Sequence, residues 1–397
     1  MPQPLLEPYR LGTLDLPNRV VMSPMTRNRG DNPDNVATEL VAEYYAQRAS
    51  AGLIISEGTF VSRQAVGFIN VPGMYSPAQV AGWSKVTRAV HDAGGRIFAQ
   101  LWHVGAVSHP DLLGGELPVA PSAINPGTNA YTSAGFKPTI TPRALETHEV
   151  ATVVEDFRRA AGNAAQAGFD GVELHGANGY LFHQFFARSM NRRNDRYGGS
   201  IENRARLLFE VLDAVGAEMP SDRVGVRVNP GVHNLSGIEF DDETLPLFEY
   251  VARRLDERKI GYLHVMEPIN GIENLPETLT RPSVAANFRP FFSGTLIAAV
   301  DYTQATGNEA IERGYADLVA FGRAFIANPD LVARLEANAS LAMPFRETFY
   351  SGGARGYVDY PTLDDASHAA ETGSRVGRTE RYAETRSRSR VNADEVA

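Results

Sequence analysis

Three residues in the stretch HGANGY, His175, Asn178 and Tyr180, carry the sharpest chemistry in the chain. An imidazole N–H and a carboxamide N–H are neutral donors. Two of them aimed at one carbonyl or nitro oxygen stabilise charge developing there, and losing one such donor typically slows a reaction about 10²–10³-fold. Tyr180 follows two residues after Asn178. A phenol with an ordinary pKa near about 10 is protonated at neutral pH and can give a proton to a developing carbanion. The competing interpretation is that Tyr180 packs as a core aromatic and His175 caps a loop.

A second set is suited to holding a flat polar ring and an anion. Gln100 offers both a donor and an acceptor to a uracil-like edge. Arg227 is a fixed cation able to stabilise a reduced, anionic ring, and Thr26, beside Pro24 and Met25, can donate one hydrogen bond to it. Gly322-Arg323 combines close backbone approach with a planar cationic fork that grips phosphate. Each residue alone can equally serve a neighbouring loop.

These residues recur at the ends of short β-branched runs. The runs are 19–25, 53–58, 96–102, 171–175, 224–229, 262–267, 295–299 and 318–323. Several are continuously apolar, as parallel strands covered on both faces are. Between them lie segments with apolar residues three or four apart: 38–49, 79–93, 149–167, 203–218, 243–259, 303–313 and 330–339, with 282–292 weaker. Gly52, Gly94, Gly168 and Gly314 follow helical stretches as stops. Eight strand–helix units predict a (β/α)8 TIM barrel, whose active site lies at the C-terminal ends of the strands. An open doubly wound sheet is disfavoured because no Gly-x-Gly-x-x-Gly turn follows the first strand. Residues 1–18 are expected to cap one end of the barrel. Residues 103–147 form a long Pro-, Gly-, Ser- and Thr-rich loop after the third strand, on the active-site face. The reading is one barrel domain over 1–363 and a polar tail over 364–397, expected to be disordered.

Composition excludes other classes. The 397 residues are 43% hydrophobic and 21% charged, enough for a large core. A net charge of −9 argues against nucleic acid and anionic membranes as partners. There is no cysteine, hence no disulfide or thiolate chemistry, which fits a reducing cytoplasm. The N-terminus lacks a signal-peptide pattern, and no apolar run approaches about 18 residues.

The segment HGANGYLFHQFFARSMNRRNDRYGGSIENRARLLFEV (175–211) resembles the signature of the old yellow enzyme family of FMN-dependent ene-reductases. SPMTR (23–27), AQLWHVG (99–105), VGVRVNP (224–230), FGRAFIANPDL (321–331) and TFYSGGARGYVDYP (348–361) resemble it too, in the expected order. The resemblance covers about residues 4–362. It implies that Pro24, Met25, Thr26, Gly58, Gln100, Arg227, Gly322 and Arg323 contact FMN. It implies that His175 and Asn178 hold the substrate oxygen and that Tyr180 is the proton donor. Phe68, Trp102 and Tyr350 match pocket-lining positions, Phe68 replacing a common tyrosine. The implied reaction has two halves: NADPH (or NADH) reduces the flavin, which then reduces an enone, enal, maleimide or nitroalkene, with nitro compounds and nitrate esters as further acceptors. The implied partners are small molecules, and the state is monomer or homodimer.

A second departure concerns the phosphate site. Bacterial relatives usually end the seventh strand in a glycine-containing turn, whereas this chain reads LIAAVDYT (296–303), with Ala298 and Val300 at glycine-like positions. Side chains there limit close approach and disfavour positive φ. Two rival interpretations remain: a metal-dependent barrel using Glu57, His103, Glu173 and His175, and a non-enzymatic flavin sensor. Against the first, Glu173 is better placed as a paired charge inside the barrel. No metal site is expected. His91, His109, His148, His183, His233, His264 and His368 are given surface or structural places, and Tyr44, Tyr45, Phe291 and Phe292 packing roles.

Overall fold

The computed structural model describes residues 3–269 and 272–365. Eight parallel strands close a barrel: β1 Val20–Met22, β2 Leu53–Phe60, β3 Ile97–Trp102, β4 Gly171–Gly176, β5 Val224–Val228, β6 Tyr262–Met266, β7 Thr295–Ala299 and β8 Leu318–Phe321. Each pairs with the next, and β8 pairs with β1. Each strand is followed by a helix: α1 Glu39–Ala46, α2 Pro77–Asp92, α3 Thr147–Gln166, α4 Ile201–Val215, α5 Thr244–Glu257, α6 Val284–Phe288, α7 Gln304–Glu312 and α8 Leu331–Glu336. The chain is thus a (β/α)8 TIM barrel.

The barrel strands are buried along their whole length, which is why they are apolar at most positions on both faces rather than alternating. One face of each strand packs on the helices and the other fills the interior. The interior core contains Val21, Leu53, Ile55, Phe98, Tyr262, Ile297 and Leu318. The helices start on local signals: Ser76 and Gln79 form a capping box ahead of α2, with Pro77 in its first turn. An N-terminal hairpin, Tyr9–Leu11 with Leu14–Leu16, inserts Leu11, Leu14 and Leu16 into the interior core. Thr13 in its turn binds Asp222, just before β5, so the hairpin closes the N-terminal end of the barrel.

Several expectations need correction. The strand at 19–25 is shorter, because Ser23 and the residues after it leave the ladder as a loop. Gly52 does not stop a helix with a left-handed turn. A Cβ there would lie 2.1 Å from the Asn18 carbonyl oxygen, so close backbone approach requires the glycine. Gly94, Gly168 and Gly314 do have φ of 83°, 89° and 70°. The 103–147 connection contains an antiparallel hairpin, Asn129–Thr132 with Gly135–Pro138, and a short parallel pair, Val119–Ala120 with Arg143–Ala144. A short helix missed in the sequence, Leu181–Phe186, follows Tyr180, its residues buried all round so that no amphipathic period marks it. The tail set apart at 364–397, His368 included, lies from 366 onward outside the described residues. No helix among the described residues is long and apolar enough to cross a membrane.

Candidate active site

The strand registers bring the candidate residues together at the C-terminal end of the barrel. Gln100 on β3 stands opposite both Gly58 on β2 and Glu173 on β4, and Arg227 on β5 stands between His175 on β4 and His264 on β6. Alternation along a strand puts Glu173 and His175 on the same inward face.

A polar layer forms the base of this site. Gln100 Nε2 donates to Glu173 Oε1 at 2.8 Å, and His264 Nδ1 lies 2.8 Å from Glu173 Oε2. Glu173 and His264 are fully buried. Burial holds the imidazole below its usual pKa despite the neighbouring carboxylate, so a neutral ring donates its Nδ1–H to Glu173. Burial alone would raise the Glu173 carboxyl, but His264, Arg227 and Gln100 together bring it below its ordinary value. It is therefore the counter-charge for Arg227, which is 7% exposed and whose Nε has no partner among the described residues. Because Gln100 spends an N–H on Glu173, its Oε1 is left as an acceptor for a ring N–H.

Above this layer sit His175, Asn178 and Tyr180, all buried. His175 Nδ1 accepts the Ala177 N–H at 3.4 Å, which puts the ring proton on Nε2. Burial, with Arg227 as a second cause, holds the imidazole well below its usual pKa, so it is a neutral donor. Asn178 adopts φ of 57°, a left-handed conformation that asparagine tolerates. Its Oδ1 accepts from Asn229 Nδ2 at 3.2 Å, leaving its own N–H groups to donate. Tyr180 meets both His175 and Trp102 edge-on, at 5.0 and 4.8 Å between ring centroids. Burial raises its phenol above the usual range.

Aromatic side chains wall the site. Trp102 stacks between Phe60 and Phe68, at 5.1 and 5.3 Å, and is itself enclosed, so it backs Phe68 and Tyr180. Ile69 N–H bonds the Tyr131 carbonyl, tying the hairpin of the long connection to the segment that carries Phe68. Arg27 donates to the carbonyls of Thr348, Phe349 and Gly356 and to the Tyr44 hydroxyl, and Arg29 also reaches Thr348 and Phe349. These bonds fasten the segment bearing the half-buried Tyr350 to the end of β1, beside Pro24, Met25 and Thr26.

The remaining expected contacts lie around the rim. A Cβ on Gly58 would lie 2.4 Å from the Trp102 ring, so packing alone requires that glycine. At Gly322 a Cβ would meet only ordinary contacts, with Met25 Sδ nearest at 3.6 Å. Protein packing thus leaves the face at Gly322 open. Arg323 is exposed and pairs with Asp301. The orphaned Arg227 Nε, the free Gln100 oxygen and the open face at Gly322 fit a flavin: a cation and a hydrogen-bonding edge for the ring, and the end of β8 for the phosphate.

The glycine-like positions need redrawing. Ala298 lies within β7 opposite Val265 and needs no unusual backbone. The turn falls on Val300 and Asp301, with φ of 83° and 56°. For a β-branched residue such a φ costs on the order of 1–3 kcal/mol and persists only where the surroundings over-determine it. Val300 packs against the interior core, and Glu267 bonds both flanks of the turn: its backbone N–H donates to the Ala299 carbonyl at 2.9 Å, and its carboxylate takes the Tyr302 hydroxyl at 3.1 Å and the Val284 and Ala285 N–H groups.

The four residues of the metal reading do not converge. Glu57 takes the Arg27 N–H, Glu173 serves Gln100 and His264, and His103 Nδ1 accepts the Gly105 N–H. Among the described residues no group of three or more His, Cys, Asp or Glu side chains could hold a metal. Sequence reasoning missed Asn229, Arg27 and the place of His264. Asn229 carried the clearest signal, a polar residue at a strand tip directly before Pro230.

Comparison with known proteins agrees with this architecture. Residues 4–341 match the model of the NADH:flavin oxidoreductase / NADH oxidase family. The chain is 42% identical to 12-oxophytodienoate reductase 1 of Oryza sativa subsp. japonica, over 93% of this chain and 96% of that one. Its structure resembles that of morphinone reductase, with a TM-score of 0.86 at 47% identity over 91% of this chain and 97% of the other. It also resembles the old yellow enzyme homologue from Zymomonas mobilis, with a TM-score of 0.85 at 42% identity over 90% and 99%. The chain belongs to the NADH:flavin oxidoreductase / NADH oxidase family, the family of old yellow enzyme.

Proposed function

We propose that this protein is an ene-reductase that reduces activated C=C bonds of enones, enals, maleimides and nitroalkenes, with nitro compounds and nitrate esters as further acceptors. When bound, FMN would supply two-electron redox chemistry between a reduced nicotinamide and the activated C=C bond of the acceptor. Pro24, Met25, Thr26, Gly58, Gln100 and Arg227 would hold its ring, and Gly322 and Arg323 its phosphate. His175 Nε2–H and an Asn178 N–H grip the acceptor oxygen and stabilise negative charge developing on it. The Tyr180 hydroxyl gives the proton to the α-carbon. Phe68 and Tyr350 line the pocket, with Trp102 behind Phe68 and Tyr180.

One observation carries this reading: His175 and Asn178 each have their acceptor atom engaged by the protein, which leaves two neutral donors beside a buried phenol. The relatives support it, since 12-oxophytodienoate reductases and morphinone reductase are named for the reductions they perform. The family resemblance favours NADPH as donor, while morphinone reductase has been solved with tetrahydroNAD, so both nicotinamides belong in the assay. Purified protein should be yellow and, without oxygen, oxidise NADPH or NADH only when 2-cyclohexenone is present, yielding cyclohexanone. A colourless protein that does not take up FMN sinks the proposal.

A further inference from the structure

The turn after β7 and the start of the segment after β8 are where barrels of this kind commonly bind phosphate. In this chain the turn carries an acidic side chain. Val300 and Asp301 adopt left-handed conformations between Ala299 and Tyr302, both bonded to Glu267, and the exposed Asp301 carboxylate pairs with the exposed Arg323 guanidinium. Arg323 is the cation that the flavin reading assigns to the phosphate. An anion already paired with that cation opposes a second one twice: it competes for the same N–H groups, and it repels the incoming charge. The ring end of the site carries no comparable obstacle, since Glu173 is matched by Arg227 and Gln100 there.

Resting on the flavin reading above, we propose that Asp301 blunts phosphate recognition by Arg323, so that this chain selects its flavin by the ring and discriminates weakly between FMN and riboflavin. Asp301 is then a specificity-determining residue for the tail of the cofactor. It lowers the advantage of a phosphorylated tail without touching the reacting ring.

The test is a binding measurement on flavin-free protein, titrating FMN and riboflavin separately and following the quenching of flavin fluorescence. Asp301→Asn removes the charge and keeps a residue that adopts positive φ readily. Wild-type protein is expected to bind the two flavins with dissociation constants within about tenfold of each other. Asp301→Asn should tighten FMN by up to about fivefold, the scale of one solvent-exposed ion pair, and leave riboflavin unchanged. Adding Arg323→Gln to Asp301→Asn should erase that gain. Riboflavin affinity is the folding control within the same experiment. If Asp301→Asn moves neither flavin, or both equally, the assignment to Asp301 is wrong while the flavin reading stands. If wild-type protein binds neither flavin, both fall.

Discussion

Asn229 Nδ2 donates to Asn178 Oδ1 at 3.2 Å, and the Asn229 oxygen accepts the Gly231 N–H at 3.2 Å. The backbone N–H can only donate, so it settles which end of the Asn229 amide is oxygen. That in turn settles Asn178: its oxygen faces Asn229 and its N–H groups face the site. Asn229, fully buried, is therefore a positioning residue. Asn229→Asp keeps the acceptor for Gly231 and removes the donor, freeing the Asn178 amide to turn. Phenol affinity, which reads the proposed oxygen-binding pair, should fall about tenfold, the worth of one hydrogen bond in a buried site, with FMN affinity unchanged. Loss of FMN binding in parallel would point to a general structural role instead.

On the role proposed for Tyr180, Tyr180→Phe separates proton donation from hydride delivery. The flavin-reducing half-reaction should proceed at the wild-type rate, while reduction of 2-cyclohexenone should slow by about 10²-fold. Burial raises the Tyr180 phenol above its ordinary value, so it stays protonated through the neutral and mildly alkaline range. The wild-type acceptor rate should accordingly show no loss between pH 7 and about pH 10, the ordinary phenol value. A stopped-flow series over that range checks both statements, and an unaltered acceptor rate in the variant removes Tyr180 from its assigned role.

The barrel was legible because parallel strands buried on both faces leave continuous apolar runs, and 295–299 matches Thr295–Ala299 at both ends. The strand tips were legible for the same reason: polar residues such as Gln100 and Arg227 interrupt those runs. Relations that depend on spatial pairing were not. Nothing local in YLHVM says that His264 meets a glutamate 91 positions earlier, or that Asn229 meets Asn178 across 51. The turn at Val300 and Asp301 shows a different limit. Positive φ is read from glycine or asparagine, and here a valine adopts it, in a turn whose flanking residues Ala299 and Tyr302 both bond Glu267. The hairpin at 129–138 was hidden because turn-rich composition marks a loop equally well.

Glu173→Gln tests the charge balance under the site. Arg227 is buried, and Glu173 is its anionic neighbour. Removing that anion leaves an uncompensated buried cation, which typically costs about 3–5 kcal/mol. Urea denaturation of the flavin-free variant should show a loss of that order. Because the folded carboxyl sits below its ordinary value, its contribution is present above the unfolded value and is lost as pH falls through the folded one. The gap between wild type and variant should therefore narrow on acidification. A gap of under about 1 kcal/mol at neutral pH, within the range of ordinary substitutions, would mean that the Arg227 charge is balanced elsewhere.

Glu57 makes the opposite pH prediction. It is fully buried, and desolvation pushes its carboxyl up to about 7 against the pull of the Arg27 N–H and the Arg27 and Arg29 guanidinium groups. Tyr45 faces it as well, its hydroxyl accepting the Glu57 N–H at 2.7 Å, and Tyr44 and Tyr357 stack beside Arg27. In the unfolded chain the carboxyl titrates near its ordinary 4.5. Between those values the folded protein keeps a proton that the unfolded chain has lost. The stabilising contribution is thus complete below the unfolded value and disappears as pH rises through about 7. Glu57→Gln is neutral throughout and retains an acceptor for the Arg27 N–H. Relative to wild type, the variant should gain stability between pH 5 and pH 8, by on the order of 3 kcal/mol. Urea denaturation of both proteins in flavin-free form at the two pH values measures this directly. A wild-type-to-variant difference that stays constant across that interval would show that Glu57 is charged in the folded protein, held so by Arg27 and Arg29.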